Sequence, residues 1–283
     1  MKKWLALLVV VFAGLVVLPD SMEACGRRRC RIRACVPGYW QDSCAVVVET
    51  PLPLVRTVAI NGKSYRIYDS GDPGDYEADV PDLTPPGLAA GTTIPASERF
   101  HGTVRALTKT TIAVNAQNKT FDSVTALHDS LPSDEQMASL GISHAPDSKR
   151  VKQELFNVTV RAWIYAFKKE TNDNDYHVII GDAPGTPNAH YFNAEVSGIP
   201  VPGTDANRNT LWDVRRSFQK NFELGASGPA NYFPPAPPVP VRITGSLFWD
   251  VEHSPPKPLV GPGKFKPTLA WEIHPISHIE FLE

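Results

Sequence analysis

Val158-Thr-Val-Arg-Ala-Trp-Ile-Tyr-Ala-Phe167 is the stretch on which the fold turns. It is rich in β-branched and aromatic side chains, with apolar residues on both alternating faces, so it reads as one long buried strand. The charged run from Lys168 to Asp175 follows as a turn. Tyr176–Ile180 and His190–Val196 then read as second and third strands. From Thr204 to Leu224 the period changes. Leu211, Val214, Phe218 and Phe222 recur at helical spacing, and Gly225 supplies a stop. Val239–Trp249 and Ala270–Leu282 complete the pattern as fourth and fifth strands. Three strands, a helix and two strands is the element order of an OB-like five-stranded barrel with its helix between strands three and four. A first strand that serves both halves of such a barrel is buried on both faces. The expected fold is therefore mainly β, an OB-like barrel over 151–283 preceded by a small α+β segment.

Upstream, residues 98–150 carry that α+β segment. Thr103–Leu107 and Thr111–Val114 read as strands. Ser133-Asp-Glu-Gln136 is a capping-box start for a helix ending near Gly141. Residues 71–97 are rich in Pro, Gly and Asp and read as a linker. In 45–70, two alternating runs flank Asn61-Gly62, which predicts a hairpin because both turn positions need positive φ. Residues 25–44 hold all four cysteines, Cys25, Cys30, Cys35 and Cys44.

Residues 1–24 have the order of a secretory signal peptide: Lys2 and Lys3, an apolar run from Trp4 to Leu18, then a break at Pro19 and small Ala24 before the cut. Export leaves about 259 residues, secreted or periplasmic. In an oxidising compartment the four cysteines read as two disulfides, with three pairings open. Ala24-Cys25 also admits a lipid anchor at Cys25, although Glu23 suits a lipobox poorly. Arg27, Arg28, Arg29, Arg31 and Arg33 form a basic arm suited to an anionic membrane or cell-wall surface. Residues 45–283 carry 21 basic and 27 acidic side chains. That balance argues against a general nucleic-acid binder, whose affinity rests on clustered positive charge. The 27 prolines argue against long helices.

Polar residues gather at the strand ends: Asp173, Asp175 and His177, then Asp250 and His253, then Glu272 and His274. Glu272 and His274 are two apart on one strand and share a face. Imidazole and carboxylate in this density could ligate zinc, with His177, His253 and His274 as ligands and Glu272 beside them. The plainer reading is a hydrogen-bonded set that closes the barrel end with no cofactor. Trp163, Tyr165, Trp249 and Trp271 are candidates for stacking on a ligand, although core filling is the commoner role of such rings. A G-x-S-x-G elbow and a phosphate-binding G-x-x-x-x-G-K-[ST] loop are both absent.

The segments Asp173-Asn-Asp175-Tyr-His177, Thr244-Gly245-Ser-Leu-Phe-Trp-Asp250-Val-Glu-His253 and Glu272-Ile-His274-Pro275 resemble a group of uncharacterised exported bacterial proteins. Those proteins share a D-x-D-x-H … T-G-x-x-F-x-D-x-x-H … E-[IL]-H-P pattern. The resemblance covers residues 150–283 and implies a C-terminal OB-like domain but no activity. The expected function is an exported binding or structural protein of unknown ligand, whether small molecule, polymer or protein. The alternatives are a metal-dependent hydrolase at the barrel end and an oligonucleotide-binding module.

Overall fold

The computed structural model describes residues 31–33, 45–47, 51–74, 94–200, 205–225 and 227–283. The expected signal peptide, the four cysteines, Arg27, Arg28 and Arg29 lie outside the described residues. Two compact units are present, Met1–Leu52 and Pro53–Glu283. In the first, β1 (Arg31–Arg33) pairs antiparallel with β2 (Ala45–Val47).

In the second unit, β3 (Leu54–Ile60) and β4 (Lys63–Tyr68) form the hairpin that Asn61-Gly62 predicts. The φ angles of 49° and 76° at those residues are the left-handed pair that such a turn requires. Farther along lie α1 (Ala106–Lys109), β5 (Gln117–Phe121), α2 (Val124–Asp129) and α3 (Asp134–Ala138). The barrel elements are β6 (Phe156–Lys169), β7 (Tyr176–Gly181), β8 (Tyr191–Val196), α4 (Asp205–Asn221), β10 (Val239–Trp249) and β11 (Trp271–Phe281). The two-residue β9 (Pro235–Ala236) joins β4.

The 14-residue β6 does what its double-sided apolar pattern implies. Its C-terminal half pairs with β7, and Asn157–Ile164 pairs with β10. The strand order β10-β11-β8-β7-β6, with β10 returning to β6, closes a five-stranded barrel of mixed direction. The one parallel pair within that barrel is β8 with β11. The helix lies between the third and fourth barrel strands, as expected. Val214 and Phe218 of α4, and Phe222 just past its end, pack into the main core. The Phe222 ring lies 4.5 Å from Phe167.

A bulge between Ile164 and Ala166 shifts the phase of β6. Val158, Val160, Ala162 and Ile164 fill the barrel interior, and after the bulge Phe167 does so too. Tyr165 turns the other way, against Tyr191 and Phe265. The alternation through Trp163, Tyr165 and Phe167 therefore does not make one aromatic face.

The 98–150 segment departs from expectation. Thr103–Leu107 is not a strand. Arg105 adopts φ 50° and starts the short α1. Thr111–Val114 is irregular, with Val114 exposed. Ala113 is buried and Ile112 packs against Ile94, Ile199 and Leu211, but as a loop rather than a strand, so their alternation carries no pairing information. The strand that forms instead, β5, has almost no apolar content and runs parallel to Phe156–Val160 of β6. Backbone pairing alone defines it.

The expected capping box is present: Ser133 Oγ accepts from Gln136 N, and Gln136 Oε1 accepts from Ser133 N. This start sets Asp134 against the barrel. Its carboxylate accepts from the Trp249 indole at 2.9 Å and from Ala270 N at 3.1 Å. Asp134→Ala strands two buried donors. It is expected to cost about 2–3 kcal/mol, read as a lowered urea midpoint at unchanged slope.

Candidate functional site

Sheet register assembles the site from neighbouring strands. His177 of β7 lies opposite Glu195 of β8, and Glu272 of β11 lies opposite Asn193 of β8. Residues two apart share a face, so Asn193 with Glu195, and Glu272 with His274, point the same way. All five are buried, and His274 is fully so. Asp173 and Asp175 enter from the β6–β7 turn. That turn is held by Asn174 at φ 72°, whose amide donates to Ser97 O and Arg99 O.

His274 is the hub. Its Nε2 lies 3.0 Å from Asp175 Oδ2, and its Nδ1 lies 3.1 Å from Glu195 Oε2 and 3.6 Å from Glu272 Oε2. These are charge contacts without hydrogen-bond geometry at either ring nitrogen. Asn193 Nδ2 donates to Oε1 of both Glu195 and Glu272, each at 2.8 Å. Asp175 accepts from Gly198 N. His177 Nε2 lies 3.3 Å from Glu195 Oε1. Two pairs flank the hub. Lys109 Nζ donates to Asp173 at 3.1 Å, and His253 Nδ1 lies 2.5 Å from Asp250 Oδ2.

Burial dominates the electrostatics. It pushes the His177 imidazole down to about 3, assisted by the Lys168 charge, and holds His274 below its ordinary range too. It pushes the Glu272 carboxyl up, with Asp250 adding to the effect. Burial also works to raise Asp250. There the His253 charge and hydrogen bond, together with Lys109, outweigh it and keep the carboxyl well below the usual range.

The seven residues singled out in the sequence thus lie in one buried region, but not as the expected ligand set. The donors that converge within 4.8 Å of one another belong to Asp175, Glu195 and His274. Of His177, His253 and His274, only His274 is among them. His177 faces Glu195, and His253 is taken up by Asp250. Glu195 and Asn193 were missed. Their signal was present as two polar residues, two apart, inside the otherwise apolar Tyr191–Val196.

The stacking candidates are placed differently from that role. Trp271, Trp249 and Tyr165 are buried. Trp271 donates its indole N–H to Pro132 O, Trp249 to Asp134, and the Tyr165 hydroxyl to Asp182 O. Each ring fills core and spends its polar handle inside the protein. Trp163 is half-buried, with the Arg161 guanidinium 5.3 Å from its ring centre.

At the β6–β7 turn a solvent-open hollow of about 500 Å³ is lined by Ser97, His101, Lys169, Thr171, Asn174 and Ser227. Family models, curated proteins and solved structures were all compared with the chain, and none matches it.

Proposed function

We propose that the chain is an exported, non-enzymatic protein whose OB-like barrel binds a small polar ligand or an extended polar segment beside the β6–β7 turn. What supports this reading is the separation of reactive groups from reachable ones. His274, Asp175 and their neighbours are sealed in, so a substrate has no contact with the imidazole or carboxylates a hydrolase would use. The surface open to solvent at the same turn is the hollow, lined by hydroxyl, amide, imidazole and ammonium groups. In OB-like barrels the loop between the first two strands is a usual contributor to ligand binding. Export rests on the N-terminal pattern of charge and apolar residues, and on the resemblance of residues 150–283 to exported proteins. No helix among the described residues is long and apolar enough to cross a membrane. The burial of Trp249, Trp271 and Tyr165 weighs against base stacking, and so against the oligonucleotide reading.

Lys169 gives the reading a test. Burial, with the Arg215 charge, lowers its ammonium to about 8. Below that pH it is charged and attracts an anion. Above it the charge is lost, well before an ordinary lysine would lose it. Sugar acids and small dicarboxylates, titrated at pH 7 and followed by amide NMR, are expected to shift Thr171 and Asn174. The shifts should fade as pH passes about 8 and be absent in Lys169→Met. Shifts centred elsewhere, or turnover of ester or phosphodiester substrates, would defeat the proposal.

A further inference from the structure

We infer that a second hollow, beside β5, binds a small apolar carboxylic acid, its hydrocarbon body in the hollow and its carboxylate on Lys119. The inference does not depend on the ligand reading of the β6–β7 turn, because the two hollows share no residue.

Register builds the walls. In the parallel pairing of β5 with β6, Lys119 lies opposite Val158 and Phe121 opposite Val160. Residues directly opposite, and residues two apart, share a face. Lys119 and Phe121 therefore stand on the same side as Phe156 and Val158, the side that belongs to the core. Leu131 and Pro132, from the connection between α2 and α3, and Leu247 of β10 line the same space. Val158 and Leu247 are buried and form its floor, whereas Phe121, Leu131 and Phe156 are only half-buried.

Size and polarity set the class of ligand. The hollow measures about 180 Å³. A cavity of about 150 Å³ lined by Leu, Ile and Phe takes up benzene. One six-membered ring, or a short branched chain, thus fits here. Water over such a lining finds few polar partners, so an apolar group that displaces it gains.

Charge completes the description. Among the described residues Lys119 is the charged side chain that lines the hollow, and no carboxylate does. Its ammonium lies 4.0 Å from the centre of the Phe156 ring. Attraction to the ring face keeps the charge against the wall. A carboxylate entering there meets the ammonium, with the Ser130 hydroxyl and the Gln153 amide as further donors along the same lining. An amine of the same size would meet like charge.

The test titrates the full chain, methyl-labelled at Val and Leu, with sodium benzoate and with cyclohexanecarboxylate at pH 7. Saturable shifts are expected at the methyl groups of Leu131, Val158 and Leu247, with nuclear Overhauser contacts from the benzoate ring to the same groups. Lys119→Met, which keeps the apolar stem and removes the charge, is expected to weaken benzoate about 2–5-fold, the span of an exposed ion pair. The same variant should bind benzyl alcohol as the unaltered chain does. Leu131→Trp, which fills the hollow, should abolish both. If Leu131→Trp does not fold, the ring-to-methyl contacts in the unaltered chain decide. Lys169→Met, which discharges the other hollow, should leave these shifts in place. Shifts confined to Thr171 and Asn174 would overturn the inference, as would a titration without saturation. So would benzoate binding unchanged in Lys119→Met, or benzyl alcohol binding the unaltered chain as tightly as benzoate.

Discussion

Gly245→Ala is expected to destabilise the barrel by about 3 kcal/mol, the upper end of the usual overpacking range, and to lower its thermal midpoint by roughly 10 °C. A Cβ at this position would stand 2.5 Å from Pro275 O, 2.5 Å from Ile273 Cγ2 and 3.0 Å from Ile276 Cα. Two of those atoms are backbone of β11, which cannot rotate away. Gly245 also sits where the β10–β11 register slips, and it pairs on its other side with Val158 of β6. The added methyl therefore strikes the strand that closes the barrel at a point tied on both edges. Gly225→Ala is the control. Its Cβ meets nothing within 4 Å, so a change under about 0.5 kcal/mol is expected. Equal midpoints for the two variants in a calorimetric scan would refute the close-approach argument.

Removing Arg105 is expected to be as damaging. Its guanidinium forms two parallel bonds of 2.8 Å to Glu154, donates to Trp249 O and lies 4.7 Å from the Phe248 ring centre. Both partners of the pair are fully buried. Arg105→Met leaves a buried carboxylate without its cation, a change that costs about 3–5 kcal/mol. Adding Glu154→Leu should recover part of the loss, because the stranded charge is then gone. Recovery stays incomplete, since Glu154 also accepts from Trp249 N and Val151 N. Urea titration of the two single variants and the double variant measures the coupling. A cost below about 1 kcal/mol for Arg105→Met would show that this pair does not anchor the segment.

These two positions show what a linear reading reaches and what it does not. The barrel strands were legible because each is a long run of β-branched and aromatic residues. The helix was legible because its apolar period differs from theirs. Asn61-Gly62 and Ser133–Gln136 were legible because their chemistry is local: a left-handed turn and a reciprocal cap. Arg105 gave no such signal. Its left-handed backbone answers to Glu154, 49 residues away. For the same reason Thr103–Leu107 resembled a strand and is not one. β5 was invisible because Gln117–Phe121 has a single apolar residue, Phe121, and so nothing to alternate.

The candidate site was half legible. Asp173, Asp175, His177, Asp250, His253, Glu272 and His274 stand out as polar residues at strand ends. Which of them meet depends on register, and a register is a relation between segments. The pairing of β8 with β11 brings in Asn193 and Glu195, and it leaves His177 and His253 with other partners. The aromatic candidates failed for a similar reason. One bulge at Tyr165 undoes an alternation that the sequence presents as continuous.

The parallel seam between β5 and β6 bears on how this barrel meets other chains. The β7 partnership covers one edge of β6 only over its C-terminal half, from Trp163 onward. β5 takes the same edge over Phe156–Val160. A chain trimmed to the barrel strands alone would expose a ladder of unpaired amides there, ready to recruit a strand from a neighbour. The polar, unpromising Gln117–Phe121 thus covers that edge while contributing little to the core, and as the terminal strand it presents a short, polar edge of the kind that resists pairing with a neighbour.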